Sequence, residues 1–410
     1  MIRKGSFMNK PLSGIRVLEF STFVAAPVCA RMMADMGAEV IKVEHPKGDP
    51  WRLTGISYVP SQFSDQENPV FDIYNSGKKH ISLNLKSEEG LAAFHKLLEN
   101  TDVMITNTRP KALKKLGLDY EDLKDRYPKL IYAILLGYGE KGPDKDMPAF
   151  DTSAFWARGG FLRDMALAGD SYAPVQPPSS MGDTVSGYLL LAEVCAALFR
   201  RSQTGLGDCV RSGLYHNSIF TLGTMNIAAQ EPGYKQLPRE RTGFSVPCGD
   251  YRCADDEWIF ISGYDATLYP RMHTMIGRED LSEIEELKTP AGRWNRRGEY
   301  YEIFRQAFLT QPSTYWLQKA KELDIPMTRM AHFRDIHKDE QAWANDYLEY
   351  VTSPSGNTNV MPRSPIEMDS VGLTVTQVAH GIGADTDEVL ASIGYTPEQI
   401  VAMRQSGAVK

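Results

Sequence analysis

The chain has 410 residues, of which 42% are hydrophobic and 24% charged, with a formal charge of −7 and a pI of about 5.7. That length exceeds one simple core and suits about two domains. The acidic balance excludes an overall electrostatic footprint for nucleic acid or an anionic membrane, so neither is expected as a partner.

The segment GIRVLEF alternates and is rich in β-formers, which predicts a strand over 14–20. AAPVCARMMADMGA follows with helical spacing, with Pro27 in its first turn and Gly37 at its stop. EVIKVEHP predicts a second strand, and the three pieces make a βαβ unit with a right-handed crossover. A second round runs KHISLNL, then SEEGLAAFHKLLENT capped by Ser87, then DVMITN. KALKKLGLDYEDLKDRYP predicts another helix, and LIYAILLGYG a buried strand, so the first 140 residues read as an α/β sheet with crossover helices.

SSMGDTVSGYLLLAEVCAALFRR, residues 179–201, predicts a long helix with Asp183 at its start. No apolar run is expected to reach the roughly 18 to 20 residues of a membrane helix. Past residue 230, short strands among turn residues and then helices up to KELDIP predict a smaller domain. SPSGNTNVMPRSP, 353–365, reads as a turn-rich connection, and TDEVLASIGYTPEQIVAMRQ as two short helices around Gly394. The basic start MIRKGSFMNK lacks the apolar stretch of a signal peptide, and Met8 offers a second start. Five scattered cysteines point to reduced thiols and a cytoplasmic setting. Neither Cys248 with Cys253 nor His332 with His337 has the further ligands that zinc needs, so no metal is expected.

GYGEKG, 137–142, fits the glycine pattern of a dinucleotide site and follows a strand. Such a site needs the glycines to open a helix, whereas here Pro143 and DKDMP follow, and the first βα turn, STFVAAP, has no glycine. NAD and FAD are therefore excluded, and no ATP-binding P-loop or G-x-S-x-G elbow occurs. The remaining chemistry falls to carboxylates beside glycines, Glu140 and Asp183. Asp183 reads first as a helix cap, since Asp is among the best N-cap residues, with a reacting group as the sharper alternative. Lys42, Lys78, Lys79, Arg109, Lys114 and Lys115 recur at strand and loop ends, as a solvated face or as contacts to a phosphate-rich ligand.

In series, PLSGIRVLEF, MGAEVIKVEHPKGDPWR, NSGKKHISLNLKSEEG, TNTRPKALKKLGL, GYGEKGP, MGDTVSG, TGLGDCVRSGLYH, ELDIP and TDEVLASIGYTPEQI resemble the class III CoA-transferases over nearly the whole chain. The resemblance implies an α/β fold: a Rossmann-like large domain built from both chain ends (1–225 and 341–410) and a smaller middle α+β domain (226–340). It also implies two such chains interlocked as a homodimer. It places the family's catalytic aspartate at Asp183, where helix N–H groups would keep the carboxylate ionised and stabilise the intermediates. Glu140 would orient those intermediates. Coenzyme A would be contacted by Phe23, Val24, His45, Lys78, Lys115 and the loop Gly137, Tyr138, Gly139. No cofactor would be tightly bound, since acyl-CoA thioesters and carboxylic acids are the substrates.

Val24 and His45 stand where formyl-CoA transferases have Gln and Arg, which argues against oxalate as the acceptor. Racemases of the family carry His-Asp where this chain has Phe150 and Asp151, and phenylalanine transfers no proton. STFVAAP, GDPWR and FDTSAFWARGGF most resemble the fermentative enzymes that move CoA onto 2-hydroxy acids, of the phenyllactate and 2-hydroxyisocaproate kind. Phe23, Phe155 and Trp156 offer either core packing or an apolar acyl surface. Transfer to carnitine or another short acid, epimerisation, and a non-catalytic CoA-binding role remain as alternatives.

Overall fold

The computed structural model describes residues 10–54, 67–164, 177–178, 180–232, 246–263, 265–369 and 374–410. Met8 and the stretch GYKQLPRERTGFS lie outside them. Six strands make one parallel sheet: β1 (Arg16–Phe20), β2 (Glu39–Glu44), β3 (Lys79–Ser82), β4 (Val103–Thr106), β5 (Ile131–Leu136) and β6 (Asp208–Gly213). Their order is β3-β2-β1-β4-β5-β6, with Leu18 of β1 in register with Ile41 on one side and Met104 on the other. A parallel sheet is covered on both faces, so its strands run apolar without alternation; IYAILL of β5 is buried throughout.

Ten helices accompany this sheet: α1 (Ala25–Asp35), α2 (Trp51–Thr54), α3 (Pro69–Asn75), α4 (Glu88–Leu98), α5 (Pro110–Leu116), α6 (Tyr120–Leu123), α7 (Phe161–Asp164), α8 (Met181–Thr204), α9 (Leu214–Thr221) and α10 (Gly223–Ala228). Ser87 caps α4 as expected, accepting from Gly90 N–H at 3.1 Å. The expected single helix after residue 110 is two, because Gly117 turns left-handed at φ 66° and Asp119 starts α6 afresh. The sixth strand was not foreseen: DCVRSG holds few β-formers and is partly exposed on the sheet edge beside β5.

Against the expectation that no apolar run reaches membrane length, the 24-residue α8 holds an 18-residue window of mean hydropathy 1.3, long and apolar enough by length and composition alone. The helix packs instead along α1 and the sheet, burying Gly187, Leu190, Val194 and Ala197.

The chain divides into two compact units, one of Met1–Phe161, Gln176–Tyr234 and Asp339–Lys410, the other of Leu162–Val175 and Lys235–Lys338. The second holds an antiparallel sheet, β7 (Gly249–Arg252), β8 (Trp258–Ile261) and β9 (Met327–Arg329). Helices α11 (Leu268–Met275), α12 (Pro290–Asn295), α13 (Arg297–Phe308) and α14 (Ser313–Glu322) accompany it, around a core that includes Tyr251, Ile259, Phe304, Phe308 and Trp316.

The last segment of the first unit contains α15 (Glu340–Ala344), β10 (Leu348–Thr352), β11 (Thr358–Pro362), α16 (Thr386–Ser392) and α17 (Pro397–Gln405). β10 and β11 pair as an antiparallel hairpin, so Thr358–Pro362 within the expected loop 353–365 is strand. Val389, Leu390, Ile400 and Met403 join the core formed by Phe94, Leu97 and Leu113 of α4 and α5. The same segment covers the free edge of β3: His80 N–H donates to Asp385 Oδ2 (2.6 Å), Ser82 N–H to Thr386 Oγ1 (3.0 Å) and Asn84 N–H to Ala408 O (2.7 Å).

Candidate active site at the start of α8

The strand order reverses between β1 and β4, and in open parallel sheets ligands bind beyond the carboxyl ends of the strands at such a point. Here Thr22 N–H donates to Asn107 Oδ1 (3.0 Å) and Asn107 Nδ2 to Thr22 O (2.7 Å), joining the two strand ends. Phe23 adopts a left-handed φ of 63°, rare without a reason for any residue but glycine. Its N–H donates to Asp49 Oδ1 (3.1 Å), and its ring meets Phe150 edge-on at 5.2 Å.

Asp49 is held in turn by Lys42 at 3.0 Å, Lys42 by Glu19 at 2.8 Å, and Lys78 by the other Glu19 oxygen at 2.7 Å. These four side chains are buried. Burial opposes the charge on Glu19, but Lys42 and Lys78 outweigh it and hold the carboxyl at about 2. Burial draws the Lys78 ammonium down to about 8, with Glu19 opposing, so it stays charged at neutral pH.

At the start of α8, Ser180 turns left-handed at φ 66° and provides no side-chain cap. Asp183 follows as the third helical residue. A Cβ on Gly182 would lie 2.7 Å from the Phe155 ring, and one on Gly187 would lie 2.6 Å from both Ala25 O and Val28 Cβ. The glycines of G-D-x-x-x-G are therefore packing requirements that seat the helix on Phe155 and α1.

Asp183 does not cap its own helix. The backbone N–H groups of Gly182 and Asp183 instead pull on the carboxylate of Asp151, which opens the π-helical turn Asp151–Ala157, is buried and keeps one oxygen, Oδ2, without a hydrogen-bond partner. Burial, with the Asp151 charge added, pushes Asp183 up to about 8. Burial also raises Asp151, against the pull of those N–H groups. The expectation that helix N–H groups keep Asp183 ionised is thus corrected: Asp151 receives them, and Asp183 is left poorly solvated. Tyr74 of α3 stands close by, its hydroxyl held by Thr184 and Ser180 and within the field of Asp183. A carboxylate with little solvation and a raised pKa is a reactive nucleophile once ionised.

The other expected residues separate into groups. Glu140 lies exposed, paired with Arg211 at 2.7 Å, and is absent from the charges acting on Asp183; the acid that does act there is Asp151. Lys78 is sealed in the network, its ammonium also donating to Pro27 O and Asn75 Oδ1, so it is neither a solvated face nor a surface for phosphate. Val24 is 1% exposed at the foot of α1. His45 and Lys115 are exposed, as a phosphate contact requires, and His45 Nδ1 accepts from Lys47 N–H. Gly137 allows Ala149 to approach, Gly139 is left-handed at φ 98°, and Tyr138 faces Tyr215 with Arg158 over both rings. Phe155 and Trp156 are buried, which favours the packing reading for both.

The sequence reading weighed Asp151 only as a racemase marker; its spacing to Gly182 gave no hint that it caps a later helix. A separate open depression of about 450 Å³, lined by Glu99, Asp102, Lys129 and Arg201, lies at the amino ends of β4 and β5. That is the wrong end of the sheet for the chemistry.

The model of CoA-transferase family III matches residues 12–386. The chain is 39% identical to the (R)-2-hydroxy-4-methylpentanoate CoA-transferase of Clostridioides difficile, over 97% of this chain and 99% of that one. It is 40% identical to the cinnamoyl-CoA:phenyllactate CoA-transferase of Clostridium sporogenes, over 95% and 94%. Identity to the beta subunit of the succinyl-CoA–L-malate CoA-transferase of Chloroflexus aurantiacus is 30%, over 99% and 100%. The crystal structure of Rv3272 from M. tuberculosis in its orthorhombic form superposes with a TM-score of 0.80 at 26% identity, covering 93% of this chain and 99% of that one. With a parallel sheet open at its switch point and an acid of raised pKa at the start of the helix that leads into β6, the chain is a CoA-transferase and belongs to CoA-transferase family III.

Proposed function

We propose that this enzyme moves CoA from a 2-enoyl- or 2-hydroxyacyl-CoA to an apolar 2-hydroxy acid through a thioester on Asp183. The carboxylate attacks the donor thioester carbonyl, the C–S bond breaks, and a mixed anhydride and CoA thiolate result. The thiolate then attacks the aspartyl carbonyl, releasing the donor acid and leaving aspartyl-CoA. The acceptor carboxylate repeats the two steps in reverse, so acyl-CoA leaves and Asp183 is restored. Each step exchanges one acyl bond for another of similar energy, which is why covalent catalysis serves here.

The observation that carries this reading is the burial of Asp183 at the head of α8, which with the charge of Asp151 added raises its carboxyl to about 8. The two relatives at about 40% identity, both named for 2-hydroxy acids, support the substrate class. Phe150, exposed and with no proton to transfer, speaks against epimerisation. Five free thiols suit a reducing cytoplasm. Apolar side chains exposed on α8 to α10, among them Phe199, Phe220 and Ile227, suit a homodimer, which light scattering tests by reading twice the 45.9 kDa chain mass.

Incubation with acyl-CoA followed by hydroxylamine should place a hydroxamate on Asp183, located by peptide mass spectrometry. Asp183→Ala should give no adduct and lose activity by about a thousandfold or more. An active alanine variant would sink the mechanism.

A further inference from the structure

A cavity of about 190 Å³ lies between α1, α3 and the first turns of α8, closed on one side by the residues after β11. Thr184, the neighbour of Asp183, is in its wall, and so is Tyr74, whose hydroxyl bonds Thr184 and Ser180. Tyr74 in that wall also lies within the field of Asp183, so the carboxylate and the cavity are neighbours.

Met32, Ile73, Tyr188 and Pro365 make much of the remaining lining. An apolar space of about 150 Å³ holds a benzene ring, so this cavity has room for a phenyl or isobutyl group. Two cations reach the wall, each beside an acid of the protein. Arg31 Nε lies 2.9 Å from both Asp35 oxygens, and Arg363 Nε lies 3.2 Å from Glu349 Oε2. Recruiting either would break a buried or half-buried pair.

We propose that this cavity is the side-chain pocket for the acceptor: it takes the isobutyl- or benzyl-sized group of a monocarboxylic 2-hydroxy acid while the carboxylate sits at Asp183. Met32, Ile73, Thr184 and Tyr188 set its size. The assignment rests on Asp183 as the nucleophile, and the two are tested separately.

The enzyme–CoA thioester is first formed with lactoyl-CoA, a 2-hydroxyacyl donor whose methyl group needs none of this pocket, and freed of excess donor, which tests Asp183 alone. It is then mixed with lactate, 2-hydroxy-4-methylpentanoate, phenyllactate or malate, and the single-turnover rate of its consumption is read. Each methylene correctly housed is worth about 10- to 200-fold. The wild type should therefore favour the isobutyl and benzyl acids over lactate and malate by at least tenfold.

Ile73→Phe, which fills the space, should form the thioester normally and keep lactate, yet lose phenyllactate and 2-hydroxy-4-methylpentanoate by tenfold or more. Ile73→Ala should shift preference toward phenyllactate, so the test survives if the larger residue impairs folding. A wild type with no such preference, or variants that slow all four acids equally or change none, would overturn the pocket while leaving the nucleophile standing. Failure of the first step removes the Asp183 reading and the pocket with it.

Discussion

Two carboxylates share the head of α8, and their division of labour is the main finding at the scale of single residues. Asp151 is drawn down by the N–H groups of Gly182 and Asp183, while the half-buried Asp183 feels that charge with its own solvation reduced. Only the ionised form attacks a thioester, so formation of the enzyme–CoA thioester should rise with pH through about 8. Asp151→Asn removes the like charge but keeps an oxygen for the helix N–H groups. The rising limb should then move to lower pH, measured by rapid quench across pH 6 to 10; an unmoved limb would show that Asp151 does not act on Asp183. Asp183 was legible in the sequence because a run of family-like motifs surrounds it. The role of Asp151 was not, because a cap contributed from a distant segment leaves no local spacing to read. The ion pair of Glu140 with Arg211 was hidden for a related reason, since nothing in GYGEKG points to a partner on β6.

Among the elements, α8 depends on having no side chain at two places. A methyl group at Gly187 would stand 2.6 Å from Val28 Cβ and from Ala25 O, where rigid helix backbone cannot yield cheaply. Gly187→Ala should cost about 1–3 kcal/mol by overpacking, read as a lowered Tm. It should also lower kcat, since α1 carries the Phe23 turn at its foot. A Tm and kcat equal to wild type would show that the two helices part without strain. Strands and helices with strong patterning, such as IYAILL and the Ser87-capped α4, were legible in outline. The weakly patterned ones were not. DCVRSG pairs because an edge beside β5 is available, and the β10–β11 hairpin hides behind the Pro, Ser, Gly and Asn that also write loops.

For the molecule as a whole, the buried chain Lys78–Glu19–Lys42–Asp49 ties the sheet interior to the Phe23 turn. Lys78 therefore positions the site from within. Lys78→Met leaves Glu19 short of a partner, and losing one partner of a buried pair costs about 3–5 kcal/mol. Urea unfolding should show that loss, while KM for acyl-CoA stays near the wild-type value; a raised KM with unchanged stability would restore Lys78 to the ligand. The pH dependence has a definite sign. Glu19 lies at about 2 in the fold against an ordinary 4.5, so its contribution is full at neutral pH and fades as pH falls from about 4.5 toward 2. The βαβ order was legible from the first 140 residues, but the ion chain was not, since nothing in KHISLNL or VLEF says that their charged neighbours turn inward.

The covering of β3 has a consequence for how the protein is made. All six strands of the parallel sheet have been synthesised by Gly213, but the groups that cover its outer edge come from Asp385 onward. On the ribosome the sheet therefore waits through most of the second unit with that edge bare, an open template for pairing with a neighbouring nascent chain. Chains stopped before residue 385 should accumulate as aggregates rather than as a smaller folded enzyme, and slow, cool expression should favour the full-length product.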